Sequence, residues 1–189
     1  MKIRLHGVAL ACVLAVAGCK APNAAQTAAP AVPDTAPAAE PVVEQPPVTV
    51  HTAEYPRLEL PTIDGGSYRL ADHRGKWVVV NFWATWCAPC LKEMPELSAM
   101  HTLRSNVEGV GLGNDDTTAQ ALLDFLKQRP VTYPIAIADP YAPPGDFATP
   151  RGLPMTFLIA PDGKLAHQFL GPVTAIEIEQ VITDAGGTP

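Results

Sequence analysis

The apolar and polar positions of this chain fall into three regimes. Val8 to Gly18, VALACVLAVAG, is apolar throughout, and from Lys20 to about Thr52 apolar residues are strewn among Ala, Pro and Thr without a period. From Tyr55 onward, periodicity takes over. In YPRLELPTIDGGSYRL, Leu58 and Leu60 alternate with charges, Asp64-Gly65-Gly66 follows, and Tyr68 and Leu70 resume the alternation, which predicts a hairpin turning at the glycines. KWVVVNFWA is a continuous apolar and β-branched run from Trp77 to Trp83, as expected of a strand buried on both faces, with Asn81 its only polar interruption. Leu91, Met94, Leu97 and Leu103 then recur at helical spacing.

The alternation continues to the end of the chain. VEGVGLG predicts a strand, and NDDTTAQALLDFLKQR a helix opened by Asp115 or Asp116 and stopped by Pro130. YPIAIAD is a further short strand, and MTFLIA and KLAHQFLG form a hairpin across Pro161-Asp162-Gly163. A last helix carries Ile176, Val181 and Ile182 on one face. Strands alternating with helices require crossover connections, so the order predicts an α/β domain with three layers, α/β/α. Its central sheet is mostly parallel, made mixed by the closing hairpin and preceded by an N-terminal hairpin.

Composition changes the picture mainly in front of this domain. The formal charge of −6 supplies no basic patch, so nucleic acid is not an expected partner. Lys2 and Arg4 precede an apolar run too short to span a bilayer stably, which reads as a signal peptide over residues 1–18. VAGC, Val16 to Cys19, resembles a bacterial lipobox, in which Cys19 is lipidated and becomes the first residue. Cleavage there removes Lys2 and Arg4 and takes the formal charge from −6 to −8. Lys20 rather than aspartate after the cysteine leans toward the outer membrane. Residues 19–52 cannot bury enough apolar surface to offset the entropy of ordering them, so they are expected to be a tether, with the folded domain at 53–189. A proline-rich tether of this length reaches up to roughly 100 Å at ~3.1 Å per residue.

The candidate chemistry is in NFWATWCAPC. With Cys12 in the signal and Cys19 claimed by lipid, Cys87 and Cys90 have no cysteine partner but each other. His51, His73, His101 and His167 are scattered without ligand spacing, so no metal or cofactor is expected. A disulfide closing so small a loop constrains little of the unfolded chain, which leaves reactivity as the better account. Cys87 falls at a helix N-terminus, where unpaired N–H groups and the dipole stabilise a thiolate below the free value of ~8.5. Cys90 lies one turn on and faces back, so Cys87 can attack a disulfide and Cys90 can resolve the mixed species. Pro89 suits the first turn, whereas Pro95 is expected to kink the helix or break its ladder locally.

VVVNFWATWCAPCLKEMPEL, Val78 to Leu97, resembles the active-site segment of the TlpA/ResA-like thiol-disulfide oxidoreductases, a branch of the thioredoxin superfamily; the likeness covers about Tyr55 to Ala185. The resemblance implies a thioredoxin-like fold. GLPMTFLIAPDGK looks like the cis-proline segment of that family, which makes Pro154 the cis-proline facing the cysteines and Leu153 a backbone partner for an extended substrate. Trp86 and Pro89 join them as implied substrate contacts, Trp86 covering the active cysteine. Asn81 stands where thioredoxins carry a buried aspartate and is similar to the asparagine of the TlpA/ResA branch. Glu93 matches a glutamate of that branch; it is either a proton acceptor for Cys90 or a solvated helix residue pairing with Lys92. Met155 departs from the threonine common beside the cis-proline.

By resemblance, then, the expected protein is an exported, lipid-anchored oxidoreductase facing the periplasm that reduces disulfides of envelope proteins, apocytochrome c among them. Its electrons would come from a membrane transporter of the DsbD or CcdA type. The alternative is a binding module, a Sco-like copper chaperone, whose CxxxC pair and distant histidine this chain meets only with CxxC and His167.

Overall fold

A computed structural model describes residues 48–188. The signal, the lipobox with Cys19 and the tether as far as residue 47 lie outside the described residues. Ten elements follow in order: strands β1 (Glu59–Pro61), β2 (Ser67–Arg69) and β3 (Trp77–Trp83), helix α1 (Ala88–Leu103), β4 (Val107–Gly113), α2 (Ala119–Leu126), β5 (Ile135–Ile137), β6 (Met155–Ile159), β7 (Leu165–Leu170) and α3 (Ala175–Asp184). β1 and β2 pair antiparallel with Leu60 opposite Tyr68, turning through Gly65 at φ +89°. The other strands form one sheet in the order β5-β4-β3-β6-β7. β4 runs parallel to β3 and β5 parallel to β4, whereas β6 is antiparallel to both β3 and β7, so the sheet is mixed.

β3 is buried along its whole length, as an apolar run interrupted only by Asn81 requires. Its alternate residues feed two cores. Trp77, Val79 and Trp83 pack with Met94 and Leu97 of α1, Leu122 and Leu126 of α2, and Ile178 and Ile182 of α3. Val78, Val80 and Phe82 meet Leu58, Tyr68, Leu70 and Phe147, whose ring packs edge-on against Phe157 at 5.1 Å. All three α-helices therefore share one face, and the third layer is built from the N-terminal hairpin, the short 3-10 turn Leu70–His73 and the loop carrying Phe147. The β3-α1-β4 and β4-α2-β5 crossovers step the same way along the sheet. Right-handedness of both puts α1 and α2 on the same side.

Periodicity located the helices better than their edges. On α1 the apolar stripe ends at buried Met100, and Leu103 is 77% exposed. On α3 the inward positions are Ile178 and Ile182; Ile176, about 200° around the helix from Ile178, is exposed. Pro95 sits on the exposed side of α1, and the helix runs through it from Ala88 to Leu103. There, water can serve the carbonyl that the missing N–H leaves free. Residues 48–52 join no strand, yet Thr49 and Thr149 exchange two hydrogen bonds (3.1 and 2.9 Å) and Thr52 Oγ1 accepts from Ala148 N at 3.0 Å.

Where β4 meets the helices, it has no side chains to spare. A Cβ at Gly111 would lie 2.6 Å from Ile135 Cδ1 and 3.0 Å from both Trp83 Nε1 and the Tyr133 ring. Gly111→Ala is expected to destabilise the domain by about 1–3 kcal/mol, read as a lower urea midpoint at unchanged slope, because Ile135 Cδ1 must shift and two packed aromatic rings must give way slightly. A midpoint equal to that of the parent would show that the aromatic pair is not close-packed against this strand.

Candidate functional site

Both cysteines stand at the C-terminal end of β3, where the strand gives way to α1. Cys87 is the N-cap of α1, and its Sγ accepts a hydrogen bond from Cys90 N at 3.3 Å. Leu91 N reaches Cys87 O at 3.1 Å, closing the first turn. Pro89 lies in that turn, where a missing N–H costs nothing, and Ala88 and Pro89 are exposed. The helix start thus turns one N–H, that of Cys90, onto the Cys87 sulfur. Cys87 and Cys90 are joined as a disulfide with Cα atoms 5.3 Å apart. Cys90 is fully buried and Cys87 is 4% exposed.

The loop entering this turn is fastened from a distance. Asp115, which the sequence pattern assigns as one of two possible caps of α2, caps nothing. The N-cap is Thr118, whose Oγ1 accepts from Ala121 N at 3.2 Å, and neither Asp115 nor Asp116 fills that place. A hydroxyl three residues before Ala121 has the reach; Asp115, farther back, is free to turn elsewhere. It is buried and takes Thr85 N at 2.9 Å and Thr85 Oγ1 at 3.0 Å, fixing the backbone two residues before Cys87. Trp86, between these anchored residues, is 72% exposed, standing out beside the cysteines.

Behind the pair, Glu93 is 4% exposed, which removes the solvated alternative and any pairing with Lys92. Both of its oxygens are engaged: Oε1 accepts from Asn81 Nδ2 at 2.8 Å and Oε2 from Val173 N at 2.9 Å. Asn81 Nδ2 also donates to Thr156 Oγ1 at 2.9 Å, across the β3-β6 register that sets these two residues opposite each other. Burial pushes the Glu93 carboxyl up to about 7, against the downward pull of the Val173 and Asn81 bonds. A carboxyl so placed can hold or release a proton near neutral pH, one helical turn beyond Cys90.

Opposite the cysteines, the Leu153-Pro154 peptide is cis. The register pairs Phe82 with Met155, so Pro154 lies one residue beyond, level with the strand end that leads into the cysteines. Leu153 is half-buried and Pro154 buried. Pro154 O accepts from Gly171 N at 2.9 Å, and two residues later Val173 reaches Glu93, so one short segment ties the proline to the buried carboxyl. Met155 is 1% exposed and belongs to the core beneath the hairpin rather than to the surface beside Pro154. His167 is opposite Leu158 on β7 and tilts against Phe169, well down the sheet from the cysteines. Among the described residues, no three His, Cys, Asp or Glu side chains gather as a metal site.

A mixed five-stranded sheet with a cysteine pair at a helix N-terminus beside a cis-proline defines a thioredoxin-like thiol-disulfide oxidoreductase. Residues 52–168 match the AhpC/TSA family. The thiol-disulfide oxidoreductase ResA of Bacillus cereus is 34% identical over 128 residues, which cover 67% of this chain and 73% of that protein. Two crystal structures are each 30% identical with a TM-score of 0.59. One is a thiol:disulfide interchange protein assigned as DsbE from Chlorobium tepidum, with 72% of this chain and 98% of that one covered. The other is a DsbF homologue from Corynebacterium diphtheriae, with 70% and 86% covered. The chain belongs to the AhpC/TSA family and, within it, to the ResA-like thiol-disulfide oxidoreductases.

Proposed function

We propose that this oxidoreductase is an exported protein, lipid-anchored at Cys19 in the cell envelope and facing the periplasm, that reduces disulfides of other envelope proteins, apocytochrome c being a candidate client. The observation that carries the exchange chemistry is the buried Glu93 behind Cys90: a carboxyl with a pKa near neutrality equips the resolving thiol to lose its proton on demand, while the reducing direction is the one expected from the resemblance to the TlpA/ResA branch. Cys87 thiolate attacks one sulfur of the client disulfide, forming the Cys87-client mixed disulfide and releasing the other client sulfur as a thiolate, which takes a proton from water. Cys90 passes its proton to Glu93 and attacks Cys87 sulfur. The second client thiolate leaves and the Cys87-Cys90 disulfide closes, so two electrons have moved from the dithiol to the client. Leu153 and Pro154 supply the edge along which an extended client segment would lie, with Trp86 and Pro89 on the other side of the cysteines.

Reduction in an oxidising compartment consumes dithiol, so the proposal includes a membrane donor of the DsbD or CcdA type. Among the described residues, no helix is long and apolar enough to cross a membrane. Support for envelope location is therefore the signal-like run, the lipobox and the proline-rich tether. The deciding experiment equilibrates the purified protein with glutathione buffers and follows the Cys87-Cys90 couple. A potential well below the glutathione range is expected; one near about −120 mV, that of a strong periplasmic oxidant, would reverse the direction.

A further inference from the structure

Under α1 there is a small, partly open pocket that the exchange chemistry leaves unexplained. It opens about 10 Å³ to a water-sized sphere, near the minimum for one water, and its walls include Asn81, Leu97, Met100, His101, Glu108 and Tyr133. Two polar atoms of these lining residues, Asn81 Oδ1 and the Tyr133 hydroxyl, are buried with no hydrogen-bond partner among the described residues. Each such group costs about 1–3 kcal/mol if left unmet, so two on one cavity need an explanation. Tyr133 is held there by design of the strand below it, since Gly109 and Gly111 of β4 leave the room its ring occupies.

We propose that Tyr133 is a positioning residue for Glu93: its hydroxyl and Asn81 Oδ1 hold one water between them, and this water, acting through the Asn81 amide, steadies the carboxylate that receives the proton of Cys90. The geometry runs without a gap in chemistry. Water donates to Asn81 Oδ1, Asn81 Nδ2 donates to Glu93 Oε1 at 2.8 Å, and polarising one end of an amide strengthens the donor at the other. The Tyr133 hydroxyl is close enough for the Glu93 charge to raise its pKa, after burial the larger cause.

The other charged groups around this cluster act differently. Glu96, on the same helix, opposes ionisation of Glu93. At the outer wall, burial raises the Glu108 carboxyl, but bonds from Lys76 and His73 more than offset it and hold it below the usual range. His101 packs edge-on to Tyr133 at 6.4 Å and is lowered chiefly by burial, with Glu108 opposing and Lys76 and His73 adding. Its Nδ1 already accepts from Gly109 N at 3.0 Å, so it cannot take a proton there without giving up that bond. Only Tyr133 offers the cavity a free hydroxyl.

The inference rests on thiol-disulfide exchange at Cys87 and Cys90, and the test separates the two claims. Reduced full-length protein is mixed with one equivalent of the aromatic disulfide dithionitrobenzoate. The first thionitrobenzoate released reports Cys87 attack, and the second reports resolution by Cys90. Absence of both phases in the parent protein would overturn the exchange chemistry itself. With Tyr133→Phe, the attack phase should be unchanged, while the pH midpoint of the resolution phase should rise by about one unit, roughly tenfold slower below the midpoint. An unmoved midpoint, or equal slowing of both phases at every pH, would overturn the role assigned to Tyr133. If the variant does not fold, a high-resolution crystal structure of the parent decides: an ordered water between Asn81 Oδ1 and the Tyr133 hydroxyl is expected, and a dry cavity refutes the proposal.

Discussion

Cys90→Ala should abolish turnover of disulfide substrates and leave them stranded on Cys87. The two effects separate because the groups that activate Cys87 are not the groups that release it. The hydrogen bond to Cys87 Sγ comes from the backbone N–H of residue 90, and the helix start that orients it is unaffected by the side chain. Alanine keeps both, so attack persists, while the sulfur needed to displace the client is gone. Multiple-turnover reduction should fall to background, and mixed disulfides should accumulate, visible as reductant-sensitive mass adducts one per chain. Cys87→Ala provides the contrast: Cys90 is fully buried, so this variant should capture no client. Adducts on the Cys87→Ala protein, with none on Cys90→Ala, would exchange the roles of the two sulfurs.

How far the sequence discloses this arrangement depends on the range of the interactions. β3 is legible because seven consecutive buried residues leave one reading, and the hairpins are legible because Gly65 and Gly163 stand where positive φ is required, at +89° and +92°. The attachment of Cys87 to a helix N-terminus follows from strand, turn and helix in that order. Layering is less accessible, since nothing in a strand-helix alternation says that two crossovers will step in the same direction and leave the opposite face to a hairpin and a loop. Asp115 shows the limit most clearly. An aspartate just before a helical period looks like a cap, and only the folded chain shows it reaching back 30 residues to Thr85. Val173 N and Thr156 are equally invisible as parts of the site, because they meet Glu93 and Asn81 across 80 and 75 residues. Tyr133 reads as the first residue of the predicted strand YPIAIAD, an ordinary aromatic.

Glu93→Gln should make the protein more stable at pH 8 while slowing its chemistry. The carboxyl is raised from 4.5 to about 7 in the folded state, chiefly by burial. Below pH 4.5 the folded and unfolded forms both hold the proton, and Glu93 imposes no penalty. As pH climbs toward 7, the unfolded chain gives up its proton and the folded chain does not, so stability is lost until both are ionised. The gap amounts to about 3 kcal/mol at most, because one pKa unit is worth about 1.4 kcal/mol. Glutamine removes the gap without a new orphan: rotating the Asn81 amide lets Oδ1 accept from the new NH₂ and from the Thr156 hydroxyl, turns Nδ2 toward the proposed cavity water, and leaves Val173 N its oxygen. Urea unfolding of the oxidised protein between pH 4 and 9 should show the stability of the variant relative to the parent rising from about pH 4.5 to 7 and level above that. Resolution by Cys90, deprived of its proton acceptor, should slow by about 100-fold, with Cys87 attack little changed. Parallel pH curves for the two proteins would assign the titration to another group. A variant that resolves mixed disulfides at the parental rate would take the proton from Cys90 by a route that bypasses Glu93.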